Sequence, residues 1–183
     1  LVSISGNASA SNGALESVDF GDLTHIGGNL ALRRNDITQL DFGKLTSVGG
    51  NLDLEYNNFT QIDFGPLARV GGDVYLAENA IAQIDFGDLT SVGGSLNAFW
   101  NKLTRIDFAK LVSIGKNLVL ESNDLTQIDF GQLPHVGGDV HLGSNDITQV
   151  DFGDLTSVGG DLDLSTNYLL SQIDFGNLTS VGG

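Results

Sequence analysis

An all-β, right-handed parallel solenoid of about eight 22-residue coils is the fold class this sequence predicts, and three observations carry the prediction. Phenylalanines stand at 20, 42, 64, 86, 108, 130 and 152, each 22 residues after the last, and Phe175 follows after 23. A fixed period of this size is the signature of a stacked repeat. Within a unit, apolar residues alternate with polar ones, as in Leu52-Asp53-Leu54 and Ile62-Asp63-Phe64, which marks strands with one buried face. No stretch keeps an apolar period near 3.6 long enough to form a helix.

The elements of one unit follow in order. Leu52 and Leu54 define a first short strand, Ile62 and Phe64 a second, and Val48 ahead of Gly49-Gly50 a third that ends in a tight turn. The extra residue of the last step lies within Tyr168-Leu169-Leu170-Ser171, where one coil is expected to bulge. Residues 1–17 are expected to form a first strand, with Val2 and Ile4 in strand register, and an irregular lead-in segment; residues 18–183 form one solenoid domain. The chain opens at Leu1 without a charged and apolar leader, as a processed chain or fragment would. Neither end carries a polar capping repeat, so the stack is expected to continue into more chain or an end-to-end or lateral partner subunit.

The residues also carry a family resemblance. Leu30-Ala31-Leu32-Arg33-Arg34-Asn35-Asp36-Ile37 resembles the leucine-rich repeat, and Leu45-Thr46-Ser47-Val48-Gly49-Gly50 is similar to the receptor L-domain and the related fungal cell-wall repeats. The resemblance spans residues 18 to 183 and implies a solenoid built for display and binding. Animal L-domains have cysteine-stabilised ends; this chain has no cysteine, and their receptor roles are not carried over.

Composition narrows the partners. Twenty-three acidic residues against eight basic ones give a net charge of −15, which repels a phosphate backbone or an anionic membrane at long range. Nucleic acid is therefore not an expected partner. No run approaches the ~18 apolar residues of a membrane-spanning helix. Without cysteine, and with only His25, His135 and His141 as histidines, no metal-ligand spacing appears and no cofactor is expected. The nearest approach to a nucleophile and base is His141 near Ser144, without an orienting acid, so no catalytic site is expected.

Constant columns are read as structural. Asn35, Asn57, Asn79, Asn101, Asn123, Asn145 and Asn167 are expected to form a buried amide ladder that bonds turn backbone, and the phenylalanines to stack inside. Asp19, Asp41, Asp63, Asp85, Asp107, Asp129, Asp151 and Asp174 point outward, and each is expected to cap the following turn. Calcium is the competing reading of that row, but the Gly-Gly-x-Gly-x-Asp spacing of calcium-bound rolls is absent.

The columns flanking the first strand vary instead, in size, charge and aromaticity, and such a face is where a solenoid binds. The candidate ligand-binding residues there are Arg33, Arg34, Tyr56, Tyr75, Phe99, Trp100 and His141, with the four aromatics expected to be exposed on adjacent coils. The function expected is a non-enzymatic extracellular or cell-surface recognition module for a protein or glycan. The alternatives are a structural solenoid subunit of a surface or filamentous assembly and, from the Thr columns at 38, 60, 104, 126, 148 and at 24, 46, 90, 156, 179, ice binding. Asn7-Ala8-Ser9, Asn58-Phe59-Thr60 and Asn177-Leu178-Thr179 match the N-glycosylation acceptor and lean towards secretion.

Overall fold

The computed structural model describes residues 3–182; Val2 and Gly183, named above, lie outside the described residues. It is an all-β parallel solenoid, and among the described residues there is no helix, so none is long and apolar enough to cross a membrane. Two continuous sheets run the length of the stack. One has nine strands, from Ser3–Ile4 through His25–Ile26 to Ser180–Val181, and the other has eight, from Ala8–Ser9 to Leu162–Asp163. Each strand pairs with the residue 22 positions on, as in Ser91 with Ser113 and Leu96 with Leu118. The last step pairs Ser157 with Ser180, so the turn around Tyr168 and Leu169 absorbs the extra residue and the sheet keeps its register. The lead-in segment joins both sheets: Ser3–Ile4 pairs with His25–Ile26, and Ala8–Ser9 with Leu30–Ala31.

The interior is a set of stacked columns. Phenylalanine rings from Phe20 to Phe175 lie face to face, with centroids 5.2–6.1 Å apart and planes within 21° of parallel. Phe42 to Phe152 are fully enclosed, whereas Phe20 is half-buried and Phe175 exposed, because each has a neighbouring coil on one side alone. Burial of each inner ring contributes about 2–3 kcal/mol before entropy is counted.

The asparagine column carries the backbone bonding of the bends. Asn57 Nδ2 donates to the carbonyls of Leu54 and Glu55 in its own coil and of Leu32 in the coil before, and its Oδ1 accepts the Ile37 N–H. The aspartate row caps turns: in each coil Oδ1 accepts the N–H two residues on, at 2.7–2.9 Å, from Gly21 in the first to Gly176 in the last. Thr columns are tied inward too, since Thr46, Thr90, Thr156 and Thr179 donate their hydroxyls to the carbonyl of the preceding coil.

A third row of strands is broken, and two residues explain the breaks. Ser17–Asp19 pairs with Gln39–Asp41, Gln61–Asp63 with Gln83–Asp85, and Gln127–Asp129, Gln149–Asp151 and Gln172–Asp174 form a triplet. In the closed steps the residue after the turn glycine donates its N–H down to the previous turn, as Lys44 does to Gly21 and Asp88 to Gly65. Pro66 holds that position in the third coil and has no N–H to give, so the second and third coils part. In the fifth coil Ala109 replaces the turn glycine at φ 49°. A Cβ at the equivalent Gly43 or Gly87 would run into the carbonyl oxygen of the coil below. The methyl of Ala109 therefore holds its coil off, residues 105–107 form no strand, and a cleft of about 200 Å³ opens between Gln83, Asp85, Arg105 and Ala109.

Lys116, in place of the second turn glycine, has a matching compensation. A Cβ at Gly94 would collide with Asp73 Oδ1, and one at Gly138 with Asn117 Oδ1. In the coil below Lys116 that column holds the shorter Ser95, which leaves space for the lysine side chain.

Candidate ligand-binding face

The variable face is built from the eight-stranded sheet and the bend that follows each of its strands. In each coil one residue points outward from the strand, the next outward residue leads into the bend, and the residue after that sits in the left-handed region. Tyr75, Asn97 and His141 belong to the first column, Arg33, Glu55, Ala77 and Phe99 to the second, and Arg34, Tyr56, Glu78 and Trp100 to the third. The left-handed column runs Asn12, Arg34, Tyr56, Glu78, Trp100, Ser122, Ser144 and Thr166 at φ 53–60°, with no glycine among them. Their N–H groups hold the bend in place by donating to the next coil, as Tyr56 does to Ala77 and Trp100 to Glu121.

Sequence reasoning expected four exposed aromatics, and the structure divides them. Tyr56 and Trp100 are exposed, at 45% and 60%, and stand on the bend past the strand. Tyr75 and Phe99 are half-buried. Tyr75 lies on the strand and donates its hydroxyl to Asp73 Oδ2 at 2.9 Å. Phe99 packs edge-on against Trp100, with centroids 6.0 Å apart and planes at 74°, and so supports the exposed indole. Arg34 lies over the Tyr56 ring with its guanidinium carbon 5.2 Å from the centroid. Arg33 Nε approaches Asp53 Oδ2 at 3.7 Å, and His141 Nε2 approaches Asp139 Oδ2 at 3.7 Å. The five coils from Arg33 to Trp100 and Glu121 thus share one neighbourhood, while His141 lies further along the same face.

Carboxylates on this face feel one another. Burial pushes the Asp53 carboxyl above its ordinary value, against the pull of the Glu55 N–H and Arg33. Burial also raises Glu55, helped by the negative charges of Asp53 and Glu78. Asp73 behaves oppositely: burial acts to raise it, but the Ser95 N–H, the Tyr75 hydroxyl and Lys116 together hold it below the usual range. Burial and the bond to Asp73 raise the Tyr75 phenol. The middle of the face is accordingly acidic and partly desolvated, with aromatic walls.

Histidine and serine do meet, though not in the expected pairing. His25 Nδ1 contacts Ser47 Oγ at 2.5 Å and His135 Nδ1 contacts Ser157 Oγ at 2.7 Å, both on the nine-stranded sheet one coil apart, whereas His141 turns to Asp139 rather than Ser144. Both pairs are stack contacts between neighbouring coils. Among the described residues no group of three His, Cys, Asp or Glu is placed to hold a metal ion.

Sequence reasoning placed Ala77 and Glu78 in the variable columns of this face but did not single them out as candidate binding residues. A lone alanine and a lone glutamate in variable columns carry no signal until the bend places them between Tyr56 and Trp100.

No family model matches the sequence, and no curated protein matches it. Among solved structures, the functional domain of InlJ from Listeria monocytogenes, which includes a cysteine ladder, aligns at 16% identity over 81% of this chain, with a TM-score of 0.32. The chain spans about half the length of that structure, 47% of it being covered.

Proposed function

We propose that this chain is a non-enzymatic recognition module of the cell surface or extracellular space, which grips a protein or glycan with the variable face centred on Tyr56, Phe99 and Trp100. One contrast within the chain supports this most. Each coil has two bends that need a left-handed residue. On the aspartate side that residue is glycine in every coil but the one with Ala109; on the variable face it is never glycine, and includes Tyr56 and Trp100. A non-glycine residue in this region costs on the order of 1 kcal/mol. On the aspartate side the coils approach too closely for a side chain, since a Cβ at Gly43 or Gly87 would meet the carbonyl oxygen of the coil below; the bend on the variable face admits side chains, and despite that cost it carries Tyr56 and Trp100 into solvent. The three glycosylation acceptor tripeptides support the extracellular setting.

The test is binding of wild type and the Phe99→Ala/Trp100→Ala double variant, by pull-down from cell-surface extracts and on a glycan array. The double variant is expected to lose about 2 kcal/mol or more of affinity while its melting curve stays close to wild type, since Trp100 is exposed and Phe99 supports it from outside the core. A folded double variant that keeps its partner would overturn this assignment of the face.

A further inference from the structure

We infer that the notch between Tyr56 and Trp100 is the seat of a lysine or arginine side chain of a protein partner, which would deepen the binding role proposed for the face and rests on it. Tyr56, Glu78 and Trp100 occupy one column in three successive coils, with the same left-handed backbone at φ 54°, 56° and 53°. Coils one strand spacing apart, ~4.8 Å, put the roots of the two rings ~10 Å from each other with Glu78 midway. A cation is held by a ring within ~6 Å of its centroid. One cation paired with Glu78 therefore reaches both rings at once.

Three further observations converge on the same occupant. The first is steric. Ala77 is buried between Glu55 and Phe99 in the neighbouring column, so the fourth coil is cut back where its neighbours project. The second is electrostatic. Glu78 and Glu55 form no ion pair among the described residues, and the charge of Glu78 acts on Glu55, so negative charge gathers at this point of the face. The third is internal precedent. Arg34, one coil below Tyr56 in this column, already lies 5.2 Å from the centre of its ring. A carboxylate between two aromatic walls binds an ammonium or guanidinium group by pairing and by cation–π attraction, and repels anions.

Trp100 is the chain's one tryptophan, so its emission reports the notch directly. Hexalysine is the probe, titrated at low ionic strength beside Nε-acetylated hexalysine. Hexalysine is expected to change Trp100 emission saturably and the acetylated peptide to leave it unchanged. Glu78→Gln should weaken the response about tenfold and Tyr56→Leu several-fold, with melting curves confirming that both variants are folded. Asp124→Asn, which removes an exposed carboxylate elsewhere, should match wild type. The cation seat is overturned if hexalysine leaves the emission unmoved, if the acetylated peptide works equally well, or if Asp124→Asn costs as much as Glu78→Gln. The two proposals fail separately: an unresponsive Trp100 removes the cation seat, and a double variant that retains its partner in the binding assay removes the face.

Discussion

Asn101 shows how much one side chain carries in this stack. Its Nδ2 donates to the carbonyls of Leu76, Ala98 and Phe99, at 3.0–3.3 Å, and its Oδ1 accepts the Ile81 N–H at 3.0 Å, all with the amide buried. Two coils are thereby tied through one residue. Asn101→Ala leaves these backbone groups without a partner and without water, and the expected cost is on the order of 3 kcal/mol. Chemical denaturation with an unchanged m-value would measure it, and a loss under about 1 kcal/mol would show that water replaces the amide. Sequence alone indicated this role, because a polar residue repeated in register with an apolar core must find its hydrogen bonds inside the stack. The position of Trp100 was less legible: its column could be read, but not that the backbone there is left-handed, so that the indole stands on a bend and not on the strand.

Among the elements, the third row of strands is the one that fails, and the failure follows local chemistry. Pro66 removes a donor and Ala109 adds a methyl, and the ladder stops at those two coils while both long sheets continue past them. Ala109→Gly is expected to relieve the left-handed strain and let the fifth coil close, raising stability by about 0.5–1 kcal/mol after the extra chain entropy of glycine is deducted. Hydrogen exchange should then slow at Ala109's neighbours Asp107 and Lys110. Faster exchange, or a lower denaturation midpoint, would mean that the fifth coil is held open by something other than that methyl, such as Arg105 in place of the usual glutamine.

For the whole molecule, the dominant long-range term is charge. A net charge of −15 on 183 residues includes eight aspartates in one row, which cap turns yet repel one another along the stack. Salt screens such repulsion over ~10 Å at ~0.1 M. The melting temperature is therefore expected to rise between ~10 mM and ~150 mM sodium chloride, more than for an Asp63→Asn/Asp129→Asn variant that keeps an oxygen for each cap. A melting point that falls with salt would show that attractive pairs such as Lys44 with Asp22 and Lys110 with Asp88 outweigh the row.

Period and alternation by themselves determined the architecture, down to the phenylalanine stack, the asparagine ladder and the capping aspartates. Each of these is a local rule applied in every coil, and a rule repeated along the whole stack leaves one register that satisfies it. What only the tertiary structure decided lies between coils. Ser95 makes room for Lys116, Pro66 and Ala109 open the third row, and stacking sets Tyr56, Glu78 and Trp100 in one column of successive bends. Ser95 and Lys116 lie 21 residues apart, about one coil, and Tyr56 and Trp100 lie 44 apart, two coils, so each pair is brought together across the stack and not by local sequence. Their relation comes from stacking, which turns a distance along the chain into a few ångströms along the axis.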